Sequence, residues 1–157
     1  MHIHRLEKLW LGFGIASLII FLAIIGTAAI SEGIVPPSNR QTIDPAKVAV
    51  TPPFDHPGLR PVPGSTNEYT AYVIARYPSF DPHEIDVPAG AKVTFYVTST
   101  DVVHGFFITS TDVNLMVVPG WVSAATHVFR TPGHYLLLCN EYCGVEHHFM
   151  YGAVEVR

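Results

Sequence analysis

The chain has 157 residues, nine Lys/Arg, thirteen Asp/Glu and a formal net charge of −4, which is enough for one domain of ordinary size and an appendage. Residues 31–157 hold seven basic against twelve acidic side chains, a net charge of −5, so no basic face is on offer for nucleic acid. An acidic excess this small does not by itself define a basic partner.

The appendage comes first. Leu9 to Ile30 is a run of 22 residues without a charge, and as a helix it would extend about 33 Å, enough to cross the hydrocarbon core of a bilayer. Its only hydroxyl side chains are Ser17 and Thr27, so it lacks the polar face of a soluble core helix. Trp10 sits at one end, at the level where amphipathic rings prefer lipid headgroups. Gly26-Thr27-Ala28 could serve as a cleavage site, but the apolar run is longer than a signal-peptide core, which favours an uncleaved anchor. Arg5 and Lys8 precede the run, and the next basic residue is Arg40. That asymmetry places residues 1–8 in the cytoplasm and the rest of the chain outside the inner membrane.

Residues 31–66 read as an extended, proline-rich linker on the membrane-proximal side of the domain. Pro36-Pro37, Pro45, Pro52-Pro53, Pro57, Pro61 and Pro63 interrupt every helical or strand period. From residue 67 onward the pattern is strands. Tyr69–Ala75, Glu84–Val87, Lys92–Ser99, Gly105–Thr109, Asn114–Val118, Ala125–Arg130, His134–Leu138 and Tyr151–Val156 are rich in β-branched and aromatic residues. Pro-Gly and similar turns separate them. Short strands at this spacing predict a mainly β fold, a sandwich or barrel, over residues 67–157.

One connection between strands carries most of the chemistry. Cys139, Cys143, His147 and Met150 fall at offsets 0, 4, 8 and 11 between the strand ending at Leu138 and the one starting at Tyr151. Thiolate, imidazole and thioether are soft donors that suit copper better than magnesium or calcium. The thioether also argues against a plain structural zinc site. Two cysteines in an exported domain could instead form a disulfide, but the spacing of His147 and Met150 would then be accidental. Two thiolates shared by two metals need a second imidazole. The best candidate is His104, in a turn between two strands within Asp101-Val102-Val103-His104-Gly105-Phe106. A backbone carbonyl from Glu141, between the cysteines, could serve the other metal.

This stretch resembles the dinuclear CuA motif C-x-E-x-C-G-x-x-H-x-x-M of cytochrome c oxidase subunit II, and the segment around His104 resembles that family's first histidine ligand. The single anchor helix and short domain are most similar to subunit II of the B-type (ba-type) haem–copper oxidases. The resemblance implies a cupredoxin-like Greek-key sandwich outside the membrane. Such a subunit accepts single electrons from cytochrome c or another small donor and passes them to haem in subunit I. It also implies that Cys139 and Cys143 bridge both coppers, that His104 and Met150 complete one, and that His147 and the Glu141 carbonyl complete the other. In many members the carboxylate at the Glu141 position also reaches a magnesium ion, whereas B-type members carry Gln there. A nitric oxide reductase subunit would share every one of these residues, and a copper-delivery module is a further alternative.

The remaining candidates carry less. His148 reads as a neighbour of the ligand rather than a ligand, His127 and His134 as strand residues, and His2, His4, His56 and His83 as surface residues. Glu141 and Glu146 do not form a catalytic carboxylate pair. Trp121, after Pro119-Gly120, is a candidate for an apolar docking patch used by the electron donor.

Overall fold

The computed structural model describes residues 4–32 and 38–157. His2 and Pro36-Pro37 lie outside the described residues. The chain divides into two units, Met1–Pro36 and Pro37–Arg157.

In the first unit a single helix, α1, runs from Arg5 to Glu32 over 28 residues. It is long and apolar enough to cross a membrane. Its two mid-helix hydroxyls are satisfied within the helix. Ser17 Oγ donates to the Gly14 carbonyl at 2.9 Å and Thr27 Oγ1 to the Ala23 carbonyl at 2.8 Å. No polar side chain of that run therefore needs water, as hydrocarbon surroundings require.

The second unit is a sandwich of two sheets. Its strands are β1 (Ser38–Thr42), β2 (Gly58–Pro61), β3 (Glu68–Arg76), β4 (Ser79–Asp81), β5 (Glu84–Val87) and β6 (Lys92–Ser99). There follow β7 (His104–Ile108), β8 (Asn114–Val117), β9 (Trp121–Val128), β10 (Gly133–Leu138) and β11 (Tyr151–Val156). One sheet has the order β1-β9-β6-β3-β2, with β4 also paired to β3, and the other has the order β5-β11-β10-β7-β8. The pairs β3–β6 and β5–β11 are parallel. This is a β sandwich, as the strand pattern predicts, with the two-sheet form that the family resemblance implies.

Alternation decides the core. On β6, Val93, Phe95 and Val97 are fully buried, and β3 contributes Ala71, Val73 and Ala75 in the same way. The two sheets meet through aromatic rings. Phe106 on β7 packs against Phe95 at 5.6 Å and Phe80 at 5.7 Å between centroids. Phe129 stands edge-on to Phe95 at 6.1 Å and to Tyr135 at 5.3 Å. Such tilted and edge-to-face pairs add to the burial of the rings themselves.

The segment expected to be a featureless linker is different. Between residues 38 and 61 it contains β1, a 3-10 turn over Pro45–Val50, and β2. Asp44 starts the turn by accepting the Ala46 N–H at 3.1 Å, with Pro45 in the first helical position, where its missing N–H costs nothing. Val48 and Phe54 are buried against Ile74 and Val122 on the outer face of the first sheet. The prolines interrupt any period, so the sequence pattern could not reveal a segment that packs through isolated apolar residues.

Phe54→Ala tests this covering role. Its ring is 3% exposed, so truncation should cost the domain about 3 kcal/mol. Chemical denaturation of the full chain in detergent measures it. An unchanged midpoint would return residues 38–57 to the status of a linker.

Candidate metal centre

Three adjacent strands of the second sheet deliver the candidate ligands to one end of the sandwich. β10 pairs with β7 on one side and β11 on the other, with Leu138 opposite both Phe107 and Tyr151. His104 opens β7, Cys139 follows β10 directly, and Met150 directly precedes β11. The ladder continues one step beyond the strands, because the Cys139 N–H donates to the Met150 carbonyl at 3.1 Å. The chain between them folds back as a turn. His147 N–H donates to the Gly144 carbonyl, Phe149 N–H to that of Glu146 and Met150 N–H to that of His147, at 3.1, 2.9 and 3.1 Å.

The six sequence-derived candidates converge. Both cysteines are free and buried, with their sulfurs 3.8 Å apart. That is well beyond the roughly 2.05 Å of a disulfide. His104 Nδ1 lies 3.9 Å from Cys139 Sγ, and the Glu141 carbonyl oxygen lies 3.2 Å from the same sulfur. His147 Nδ1 is 3.5 Å and Met150 Sδ 3.6 Å from Cys143 Sγ. The donor atoms of His104, Cys139 and Cys143 all lie within 4.8 Å of one another. His104 is fully buried, and Cys139, Cys143 and Met150 are each no more than 9% exposed. Sulfur–metal bonds of about 2.3 Å allow one ion to touch two sulfurs up to about 4.6 Å apart, so this pair can share an ion. The set is soft and nitrogen-bearing, and fits a transition metal rather than a hard cation.

Two glycines make the convergence possible. A Cβ on Gly105 would lie 1.9 Å from Asn140 Oδ1 and 2.6 Å from the Asn140 backbone nitrogen. The loop carrying Cys139 could then not lie against β7. Gly144 has a φ of +147°, and a Cβ there would come within 2.5 Å of the Tyr77 ring. Asn140 is itself pinned, with its Nδ2 donating to Asn114 Oδ1 at 3.1 Å.

The electrostatics of the pocket favour a cation. Burial acts to raise the Cys139 pKa, but hydrogen bonds from His104 and from the Gly105 and Glu141 amides, helped by Cys143, bring it down to about 7. Cys143 is pushed up to about 11, by burial and by the neighbouring Cys139. The two thiols act as a pair, in which the first proton leaves readily and the second is resisted by the charge already present.

Asp101 is the participant that sequence reasoning passed over. Its Oδ1 lies 2.8 Å from His104 Nε2, and its Oδ2 accepts the Tyr77 N–H at 2.8 Å. An ionised carboxylate can only accept, so Nε2 carries the proton and Nδ1 is left for the site. Burial opposes a charge on His104, yet Cys139 and Asp101 together raise its pKa above 6.5. Burial likewise acts to raise Asp101, but the His104 ring and the Tyr77 and Val102 amides outweigh it and lower its pKa. The signal was a carboxylate three residues before the candidate ligand His104.

The other histidines stay apart from the site. His127 pairs with Asp112 at 2.5 Å, and His134 with Glu155 across β10 and β11. His56 lies 3.9 Å from Asp55, His83 packs against Tyr151, and His148 is exposed beside Phe149. His4 is exposed at the start of α1, where its ring accepts the Leu6 N–H. Trp121 opens β9 and is half-exposed, its carbonyl accepting the Thr98 hydroxyl at 2.8 Å.

Comparison with known proteins fits this geometry. Residues 75–156 match the family described as "Cytochrome C oxidase subunit II, periplasmic domain". A cytochrome c oxidase subunit 2 of Thermus thermophilus is 39% identical over 153 residues, spanning 96% of this chain and 91% of that protein. A second Thermus thermophilus cytochrome c oxidase subunit 2 is 38% identical over 127 residues, spanning 81% of this chain and 94% of that one. A chain in the cryo-EM structure of a haem-copper terminal oxidase dimer superposes with a TM-score of 0.79 at 32% identity. That match covers 98% of this chain and all of the other.

The Asp101–His104 pair gives a pH signature. The stability contributed by the histidine, whose pKa is raised, is full below about pH 6.5 and is lost as pH rises through the folded value. The stability contributed by the aspartate, whose pKa is lowered, is full above about pH 4 and is lost as pH falls. Asp101→Asn should therefore destabilise the metal-free domain most between those limits. It should also drop the His104 titration, followed by NMR, back towards 6.5. An unshifted titration would show that the carboxylate does not govern this ring.

Proposed function

This chain belongs to the cytochrome c oxidase subunit II family and is a subunit of a haem–copper oxidase, an oxidoreductase complex. From that premise we propose that it is the electron-input subunit, holding a dinuclear copper centre of the CuA type. It takes single electrons from cytochrome c or another small donor and passes them to haem in subunit I. The observation that carries this reading is the pair of free, buried sulfurs 3.8 Å apart, with two imidazoles, a thioether and a carbonyl gathered around them.

In this reading Cys139, Cys143, His104, His147, Met150 and the Glu141 carbonyl would hold the copper pair. When bound, the copper pair supplies one-electron uptake and release. The chain's own contribution is to hold the ligand atoms still. Asp101 fixes the tautomer of His104, the Gly105 and Glu141 amides stabilise the Cys139 thiolate, and burial keeps water out. Both thiols must lose their protons, so loading releases protons and weakens as pH falls.

The same reading places α1 in the inner membrane with its N-terminus in the cytoplasm, supported by Arg5 and Lys8 ahead of the apolar run. The sandwich then lies outside, next to subunit I. The donor approaches the ligand turn, where Tyr142, Val145 and Phe149 are 78%, 83% and 62% exposed. Three large apolar side chains standing in water beside a buried metal site suit a transient apolar contact. They are more exposed than Trp121, which is 44% exposed.

Purified full chain should hold two coppers, with electron paramagnetic resonance showing one unpaired electron coupled to both nuclei. Cys143→Ser should abolish that pattern. One copper per chain, or sulfurs joined to each other, would remove the assignment. For the docking face, Tyr142→Ala should slow stopped-flow reduction by the donor about tenfold with the copper absorption intact, and Trp121→Ala should slow it less. Equal rates in all three proteins would place the docking face elsewhere.

A further inference from the structure

The turn between β3 and β4 supplies no ligand, yet its Tyr77 reaches both of the loops that do. Its backbone N–H donates to Asp101 Oδ2 at 2.8 Å, and the other oxygen of that carboxylate holds His104. Its phenol oxygen accepts the Glu146 N–H at 2.8 Å, one residue before His147. The ring lies against Gly144 so closely that a Cβ there would fall 2.5 Å from Cε2.

The contact with Glu146 stands out from its surroundings. Residues 144–149 are held to one another by hydrogen bonds within the turn. Among the described residues, the Glu146–Tyr77 bond is the one nitrogen–oxygen hydrogen bond joining that segment to another part of the chain. Without it the turn would be anchored only at its ends, by Cys143 and by the ladder at Met150. His147, in the middle, would then be placed by its own turn alone.

We propose that Tyr77 is a positioning residue that clamps the His104 loop to the turn bearing His147, holding the two imidazoles at a set separation before any metal arrives. Its meaning for electron transfer rests on the copper reading above, but the clamp itself exists without metal and is measured without it. The phenol oxygen holds the turn, the ring fills the space that Gly144 leaves, and the backbone N–H holds the carboxylate that orients His104. One residue from outside the ligand stretch thus ties together segments that lie 24 and 69 positions further along the chain.

Tyr77→Phe separates the clamp from simple packing, because it keeps the ring and removes only the acceptor. In the metal-free full chain in detergent, hydrogen exchange of the Glu146 amide should speed up about fivefold, as expected for losing one modest hydrogen bond. Amides of β6 serve as the control and should not change. In the copper-loaded chain, removal of copper by a chelator should also be about fivefold faster, and the nitrogen hyperfine couplings should shift. Unchanged Glu146 exchange would overturn the clamp. Faster exchange with the same copper release and the same spectrum would overturn its positioning role. If the parent chain takes up no copper, the copper reading fails by itself, and the exchange result still decides the clamp.

Discussion

Two thiols held 3.8 Å apart in a buried pocket cannot both be charged without something positive between them. The rest of the site follows from that constraint. Metal-free, the pair gives up one proton readily and resists the loss of the second. The pocket eases the first ionisation with the His104 ring and two backbone amides, and leaves the second to be driven by a cation. A disulfide would relieve the same tension, but here the two sulfurs are free thiols 3.8 Å apart. The fold therefore holds a charge problem that a bound metal solves.

Holding the thiols in place is a matter of strand order. β10 lies between β7 and β11 in the second sheet, so residues just past their ends are neighbours even when far apart in sequence. His104 and Cys139 are separated by 35 positions and still meet. The close approach depends on residues lacking a side chain as much as on the ligands. Gly105 lets the Asn140 backbone lie against β7, and Gly144 leaves room for the Tyr77 ring. In a sequence these look like ordinary loop glycines. In space Gly105 marks a point where one candidate ligand segment rests on another, and Gly144 a point where such a segment rests on the Tyr77 ring.

This explains which features were visible in the sequence. The candidate ligands that the fold gathers were legible because most share a short stretch with fixed offsets, and His104 because it stands in a turn between strands. The sandwich was legible from alternation on β5 and β6 and from the β-branched and aromatic run of β3. Asn140 and Tyr77 were not singled out, because the hydrogen bonds that give them their roles join residues 24 or more positions apart and leave no local periodicity, whereas Asp101 stands only three residues before His104 and was a local signal passed over. The cover formed by residues 38–57 was hidden for a related reason. Val48 and Phe54 are single apolar residues among prolines, and only the partners Ile74 and Val122 show that they belong to a core. Chemistry carried by a contiguous motif can be read from the chain, whereas support carried by contacts appears only after folding.

The distribution of support also favours the proposed electron transfer over metal delivery. A delivery protein needs ligands that a partner can reach and exchange, which calls for exposed donors on a loose loop. Here His104 and Met150 are at most 2% exposed and both cysteines at most 9%. Each ligand segment is tied to a neighbour, through Asp101, Asn114 or Tyr77. Releasing a metal would require several of these ties to open together, at a combined cost well above that of any one. Electron transfer makes the opposite demand, since ligands that do not move when a charge arrives leave little to rearrange. A pocket whose supports lie on three different segments of the chain suits that second demand better than the first.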